Sequence, residues 1–187
     1  MTGAVVSAAA AMGLLIAPAA AAQHWNVHAA KSRLGFSVNW GGEPFNASFR
    51  SWKAAIDFDP ADLAHSRALI TIDLASEASS DSETDEGVKG AEGFAVSQFP
   101  AATFQATSFM HKAGNDYVAS GTLSIKGISR PVTLPFTLTQ SGNAAHVVGR
   151  ARVVRTDFHV GTGEWEKPDP VSHDVTVTVD LRATKAP

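Results

Sequence analysis

The chain of 187 residues contains no cysteine. Disulfides, thiolate metal sites, Cys nucleophiles, covalent c-type haem and a lipidated N-terminal Cys are all excluded at once. Basic excess is missing too, with 15 Lys+Arg against 18 Asp+Glu and a formal charge of −3. Such a chain has no cationic surplus for neutralising phosphates, so nucleic acid is not an expected partner. Charged residues are only 18% and hydrophobic ones 44%, which excludes a disordered polar chain and leaves apolar mass for one sizeable core. There is no Gly-x-Ser-x-Gly, no Gly-x-x-x-x-Gly-Lys and no Gly-x-Gly-x-x-Gly. His173-Asp174 has no nucleophile in a recognisable elbow to serve. The expectation is a protein that is not an enzyme.

Charge is also absent from the beginning of the chain, where no Asp, Glu, Lys or Arg precedes Lys31. Ala4 to Ile16 is an apolar run, Pro18 interrupts it, and Ala20-Ala21-Ala22 stands before Gln23. A short apolar stretch followed by small residues reads as a secretory signal over residues 1–22, cleaved after Ala22. No Lys or Arg precedes the run, a departure from the usual leader. The run is too short and too Ala-rich for a membrane span. The domain is therefore expected over 23–187, in the periplasm or secreted.

The remainder alternates. Leu34, Phe36, Val38 and Trp40 share one face of a strand, and the same period of two recurs at Ala68–Leu74, Tyr117–Ile125, Val132–Leu138, Ala145–Val153 and Val175–Leu181. One buried and one solvated face is the mark of antiparallel sheet, since successive side chains point to opposite sides. Gly41-Gly42, Asp59-Pro60, Gly114-Asn115, Gly127 and Gly142-Asn143 supply turns between the runs. Eight or nine strands with short turns predict an all-β fold, as one closed barrel or a sandwich. Only Ser80 to Phe94 breaks the pattern, as an acidic start followed by three glycines, and predicts one short helical segment across the barrel surface or mouth.

Two metal-like patterns occur. Asp81, Glu83, Asp85 and Glu92 imitate the calcium-loop spacing over 81–92, but Glu86 stands where that loop needs glycine. The simpler reading is a solvated acidic helix start. His24 and His28 would share a metal on a helix, but on a strand they lie about 13 Å apart. No metal is expected. The aromatic set says more. A barrel of about eight strands either fills with side chains or holds one small ligand. Here inward positions mix large residues (Phe36, Trp40, Phe104, Phe136) with small ones (Ala47, Ala106, Ala119, Ala151), leaving room for a slot.

The order of motifs resembles the YceI family of exported, lipocalin-like, polyisoprenoid-binding proteins. Trp25-x-Val27 and Ser32-x-Leu34-Gly35-Phe36-Ser37-Val38-x-Trp40 are similar to its first strands, and Phe45-x-Ala47-x-Phe49 with Ile56-x-Phe58-Asp59-Pro60 to its next hairpin. Gly90-Ala91-Glu92-Gly93-Phe94 and Phe99-Pro100-x-Ala102-Thr103-Phe104 match its helix-to-strand junction. Gly121 to Leu134 is the most specific stretch, and Arg155-Thr156-Asp157-Phe158-x-Val160-Gly161-x-Gly163-Glu164-Trp165 completes the series. The resemblance implies an eight-stranded antiparallel barrel, without catalytic residues or cofactor, around an apolar channel for an isoprenoid lipid or quinone. It further implies a homodimer and, from the Val160–Trp165 ending, a link to a cytochrome b561-type membrane protein. Thr84-Asp85-Glu86-Gly87-Val88-Lys89 departs from the Arg-Asp-x-His-Leu-like stretch of many members, so it carries no inherited head-group role.

A polyprenyl tail is almost pure hydrocarbon, and burying each CH₂ is worth roughly 0.8 kcal/mol. The expected lining is Phe36, Val38, Trp40, Phe49, Phe94, Phe104, Leu123, Phe136 and Trp165. Lys89, Lys126 and Arg155 are the expected mouth contacts to a polar or anionic head. Two alternatives stay open: a solid-cored structural or interaction module, and a calcium-binding protein built on 81–92.

Overall fold

The computed structural model describes residues 22–187; the signal-peptide expectation falls almost wholly outside them. The described residues form β1 (His24–Val27), β2 (Arg33–Trp40), β3 (Glu43–Phe49), β4 (Trp52–Asp57), β5 (Arg67–Asp73) and β6 (Glu77–Ala78). The helix α1 (Ser82–Lys89) follows, then β7 (Ala101–Ala113), β8 (Asp116–Ile125), β9 (Ile128–Ser141), β10 (Ala144–Val154) and β11 (Val171–Lys185).

Three pairs of these strands are single staves broken by a bend. β1 and β2 lie along the same edge of β11, with Trp25 opposite Lys185 and Phe36 opposite Val177. Next to them β4 pairs with β1 and β3 with β2, and one row further β5 pairs with β4 and β6 with β3. The eleven strands are thus eight staves of an antiparallel barrel, closed where β11 meets β1 and β2. The sequence pattern predicts eight or nine strands; bends at Ala29–Lys31, Arg50-Ser51 and Leu74–Ser76 account for the difference from eleven. Closure removes the exposed edges that a sandwich of the same strands would keep.

Alternation fixes which side chains face inward. Phe36 pairs with Ala47 and Val177, Phe104 with Ile70 and Leu123, and Phe136 with Tyr117 and Gly149, all on the inner face. A register shift between Ala106 and Ser108 re-phases β7, so Phe109 faces inward after Ala106. Beside that bulge the strands approach so closely that a Cβ on Gly121 would lie 2.1 Å from the Gln105 carbonyl oxygen. Only glycine fits there.

The connections sort by end. Gly114-Asn115, Gly142-Asn143 and the loop 58–66 turn the chain at one end, near Trp25. Both long connections, 79–100 and 155–170, lie over the other.

Candidate functional site

The barrel is hollow. The space open to the centre of a water-sized sphere is about 270 Å³, against roughly 10–15 Å³ needed for one water. All nine residues expected as lining border it: Phe36, Val38, Trp40, Phe49, Phe94, Phe104, Leu123, Phe136 and Trp165. Among the described residues on the wall, Arg155 alone is ionisable. Phe36, Phe49 and Phe104 face inward yet remain only half-buried, because their rings border empty space rather than packed neighbours.

At the short-turn end the interior is sealed by rings. Phe58 packs edge-on to Phe109 and Tyr117 with centroids 5.2 and 5.6 Å apart, and Tyr117 stacks on Phe136 at 5.6 Å. Trp25 closes the seal from β1, and its Nε1 donates to the Phe58 carbonyl oxygen at 2.9 Å. Trp25, Phe58, Tyr117 and Phe136 are all buried.

The opposite end is capped by segments. Asp81 starts α1, accepting from the Glu83 and Thr84 backbone N–H groups and from the Thr84 hydroxyl at 2.6 Å. These bonds hold the Asp81 carboxyl below the usual carboxylate range. From α1, Val88 reaches the cavity wall, and Phe94 follows from the next turn. Trp165 lies against Gly87, where a Cβ would come within 2.9 Å of its ring. Trp165 also meets Trp40 at 5.4 Å, and Trp40 meets Phe45 at 5.7 Å; the three rings form a half-buried aromatic rim.

Two of the three cations expected at the mouth, Arg155 and Lys126, have other work. Arg155 is buried, and the five N–H groups of its guanidinium, one of them shared, donate to six backbone carbonyls: Ser172, Val160, Gly161, Trp165, Lys167 and Val171. Burial lowers its pKa, and the carbonyl dipoles stand in for a carboxylate partner. Every donor is engaged, so Arg155 binds the loop 155–171 rather than offering charge to a head group. Lys126 donates to the Gly93 and His159 carbonyls at 2.9 and 2.8 Å, tying the two capping segments to the β8–β9 turn. Neither Lys126 nor Lys89 borders the cavity. Alternation already signals part of this: Ala151, Val153 and Arg155 are in phase, so Arg155 continues the inward face. Nothing local in the sequence signals the Lys126 bridge.

Comparison with known proteins identifies the architecture. A family model described as the YceI-like domain matches residues 25–183. The chain belongs to the YceI family. A UPF0312 protein from Yersinia pestis (strain Pestoides F) is 31% identical to this YceI-family chain over 121 residues, 65% of this chain. That match spans 59% of the relative's length. The crystal structure of BcnA from Burkholderia cenocepacia superposes with a TM-score of 0.82 and 34% identity, covering 85% of this chain and 100% of BcnA. A polyisoprenoid-binding domain from Saccharophagus degradans, implicated in plant cell wall breakdown, superposes with a TM-score of 0.70. It covers 88% of this chain and 99% of its own, but at 16% identity it shows a shared fold alone.

The acidic segment of this YceI barrel serves its helix. Besides the cap at Asp81, Asp85 is buried and accepts from the Ser79 backbone N–H at 3.0 Å and from its hydroxyl. Among the described residues no three His, Asp or Glu side chains converge on a point where an ion would sit. His24 bonds Asp57 and His28 bonds Thr184, so the two histidines face different partners.

Proposed function

We propose that this YceI-family protein is a non-catalytic carrier, periplasmic or secreted, that holds an isoprenoid lipid or quinone by its tail inside the barrel. The observation that carries this reading is the hollow interior, whose wall offers hydrocarbon and aromatic surface and one Arg with no free donor. Such a wall favours an extended apolar chain, at roughly 0.8 kcal/mol for each CH₂ removed from water, and offers nothing to a polar solute. Phe36, Val38, Trp40, Phe49, Phe94, Phe104, Leu123, Phe136 and Trp165 are the proposed tail contacts. The Saccharophagus neighbour's description as polyisoprenoid-binding agrees with this ligand class. A solid-cored interaction module expects full packing at the inward positions, and the half-buried inward rings speak against it. With a quinone as cargo, a cytochrome b561-type membrane protein would be a fitting redox partner, and the carrier would act as a homodimer.

Native mass spectrometry of protein purified from its own host without detergent, followed by solvent extraction, tests the reading. A stoichiometric prenyl lipid or quinone supports it, and the same spectrum gives the oligomeric state. An empty chain that also fails to take up added ubiquinone or polyprenyl phosphate overturns it. Phe104→Asp, folded by circular dichroism, is expected to lose uptake.

A further inference from the structure

Glu77 is the most buried ionisable side chain among the described residues, 1% exposed, and neither carboxyl oxygen has a hydrogen-bond partner. It stands on β6 opposite Phe49 of β3, so it continues the inward face at the capped end. The helix α1 packs over β6, and from it the Asp85 carboxylate and the Lys89 ammonium face Glu77. From β3 the opposing residue is Phe49, which brings no charge. A buried polar group without partners is costly, and far more so when charged. Here the neutral acid fits beneath the cap and the carboxylate does not.

We propose that Glu77 is a proton-operated latch: protonated, it lets α1 seat on β6 and close the cavity; ionised, it loosens that seat and opens access for the ligand. The latch rests on the reading of the cavity as a lipid site. Burial pushes the Glu77 carboxyl up to about 7, Asp85 adds to the rise and Lys89 opposes it. With the cap open, Glu77 meets water and titrates near its ordinary value, 4.5. Between those limits the open form binds fewer protons, so opening becomes more favourable as pH rises, by up to about tenfold per pH unit. Below 4.5 and above about 7 the dependence vanishes.

Two readouts on the full chain test the latch. Hydrogen exchange of the α1 amides, corrected for intrinsic rates, is expected to accelerate as pH rises from 4.5 to about 7 and then to level off. Stopped-flow quenching of the four cavity tryptophans, Trp25, Trp40, Trp52 and Trp165, by a short-chain ubiquinone is expected to quicken over the same window. Glu77→Gln should hold both at their slow, low-pH values. Lys89→Met removes the one cation that favours ionisation, so it should move the upper edge of the window to higher pH, a shift that remains readable should Glu77→Gln not fold. Exchange in α1 that ignores pH, or that keeps its pH dependence in Glu77→Gln, overturns the latch. Quenching absent at every pH while α1 exchange follows the window leaves the latch standing and counts against the ligand instead.

Discussion

The two ends of the barrel are closed by different physics. At the Trp25 end, chain direction reverses in two two-residue turns and the loop 58–66, and Phe58, Phe109, Tyr117 and Phe136 fill the bore by contact. At the Trp165 end, two long segments lie across the opening, held by side-chain bonds to their backbones from Arg155 and Lys126. A packed ring seal resists opening because any gap loses contacts on several sides. A tethered cap opens once its few tethers give. Access to the cavity is therefore assigned to the Trp165 end.

The largest expected effect comes from removing the main tether. Arg155→Met keeps most of the side-chain volume but leaves six carbonyls without their donor, those of Gly161 and Val171 in buried surroundings. The expected loss is about 4 kcal/mol, by analogy with breaking a buried charged network. Gly161 adds a steric reason for the arrangement, since its φ is +77° and a Cβ there would lie 2.2 Å from Arg155 Nη1. Urea unfolding measures the loss, and hydrogen exchange should place it first in 155–171. If the sealed end loses protection equally, the two ends are one cooperative unit and the contrast fails.

Phe58→Ala attacks the seal itself. Deleting a buried ring that packs on Phe109, Tyr117 and Phe136 is expected to cost about 3 kcal/mol. Phe36→Ala removes the same atoms from the cavity wall, where the ring is only half-buried, and should cost about 2 kcal/mol. Equal losses in thermal or chemical unfolding would mean that the wall is packed as tightly as the seal. The smaller loss, with a wider range of accepted tails in a binding assay, is the expected outcome.

How much of this was legible in sequence follows the same division. Alternation is a local signal, so the inward faces of β2, β5, β8, β9, β10 and β11 could be read directly, and with them Phe36, Val38, Trp40, Leu123 and Phe136, whereas Phe94 and Trp165 in the capping segments lie outside any alternating run. The turn residues made eight or nine strands legible, because they lie in sequence where the chain reverses, while eight staves closed into a barrel came from the family resemblance. The bulge in β7 was not, since a one-residue register shift leaves no compositional mark. The tethers were not legible either. A Lys or Arg near a loop reads as surface charge until its three-dimensional surroundings show which carbonyls it meets. Glu77 was hidden for a related reason: its two-residue strand is too short for a pattern, and its burial depends on α1 docking from elsewhere in the chain.

Lys126→Met separates the two tethers and carries the smallest effect. Both side chains bond backbone carbonyls, yet the Lys126 bonds to Ala91 and His159 are solvent-exposed and only the one to Gly93 is partly buried. Water can replace an exposed donor at little cost, whereas the Gly161 and Val171 carbonyls under Arg155 have no water to turn to. Lys126→Met is therefore expected to cost about 1 kcal/mol, a fraction of the Arg155→Met loss. Its signature should be local and mechanical rather than global. The segments 90–96 and 155–161 should exchange amide hydrogens faster and independently of one another, while Trp25, Phe58 and Tyr117 at the far end keep their protection. A loss as large as that of Arg155→Met would show that the cap is held as one dry cluster, and that the wet tether and the dry tether do the same work.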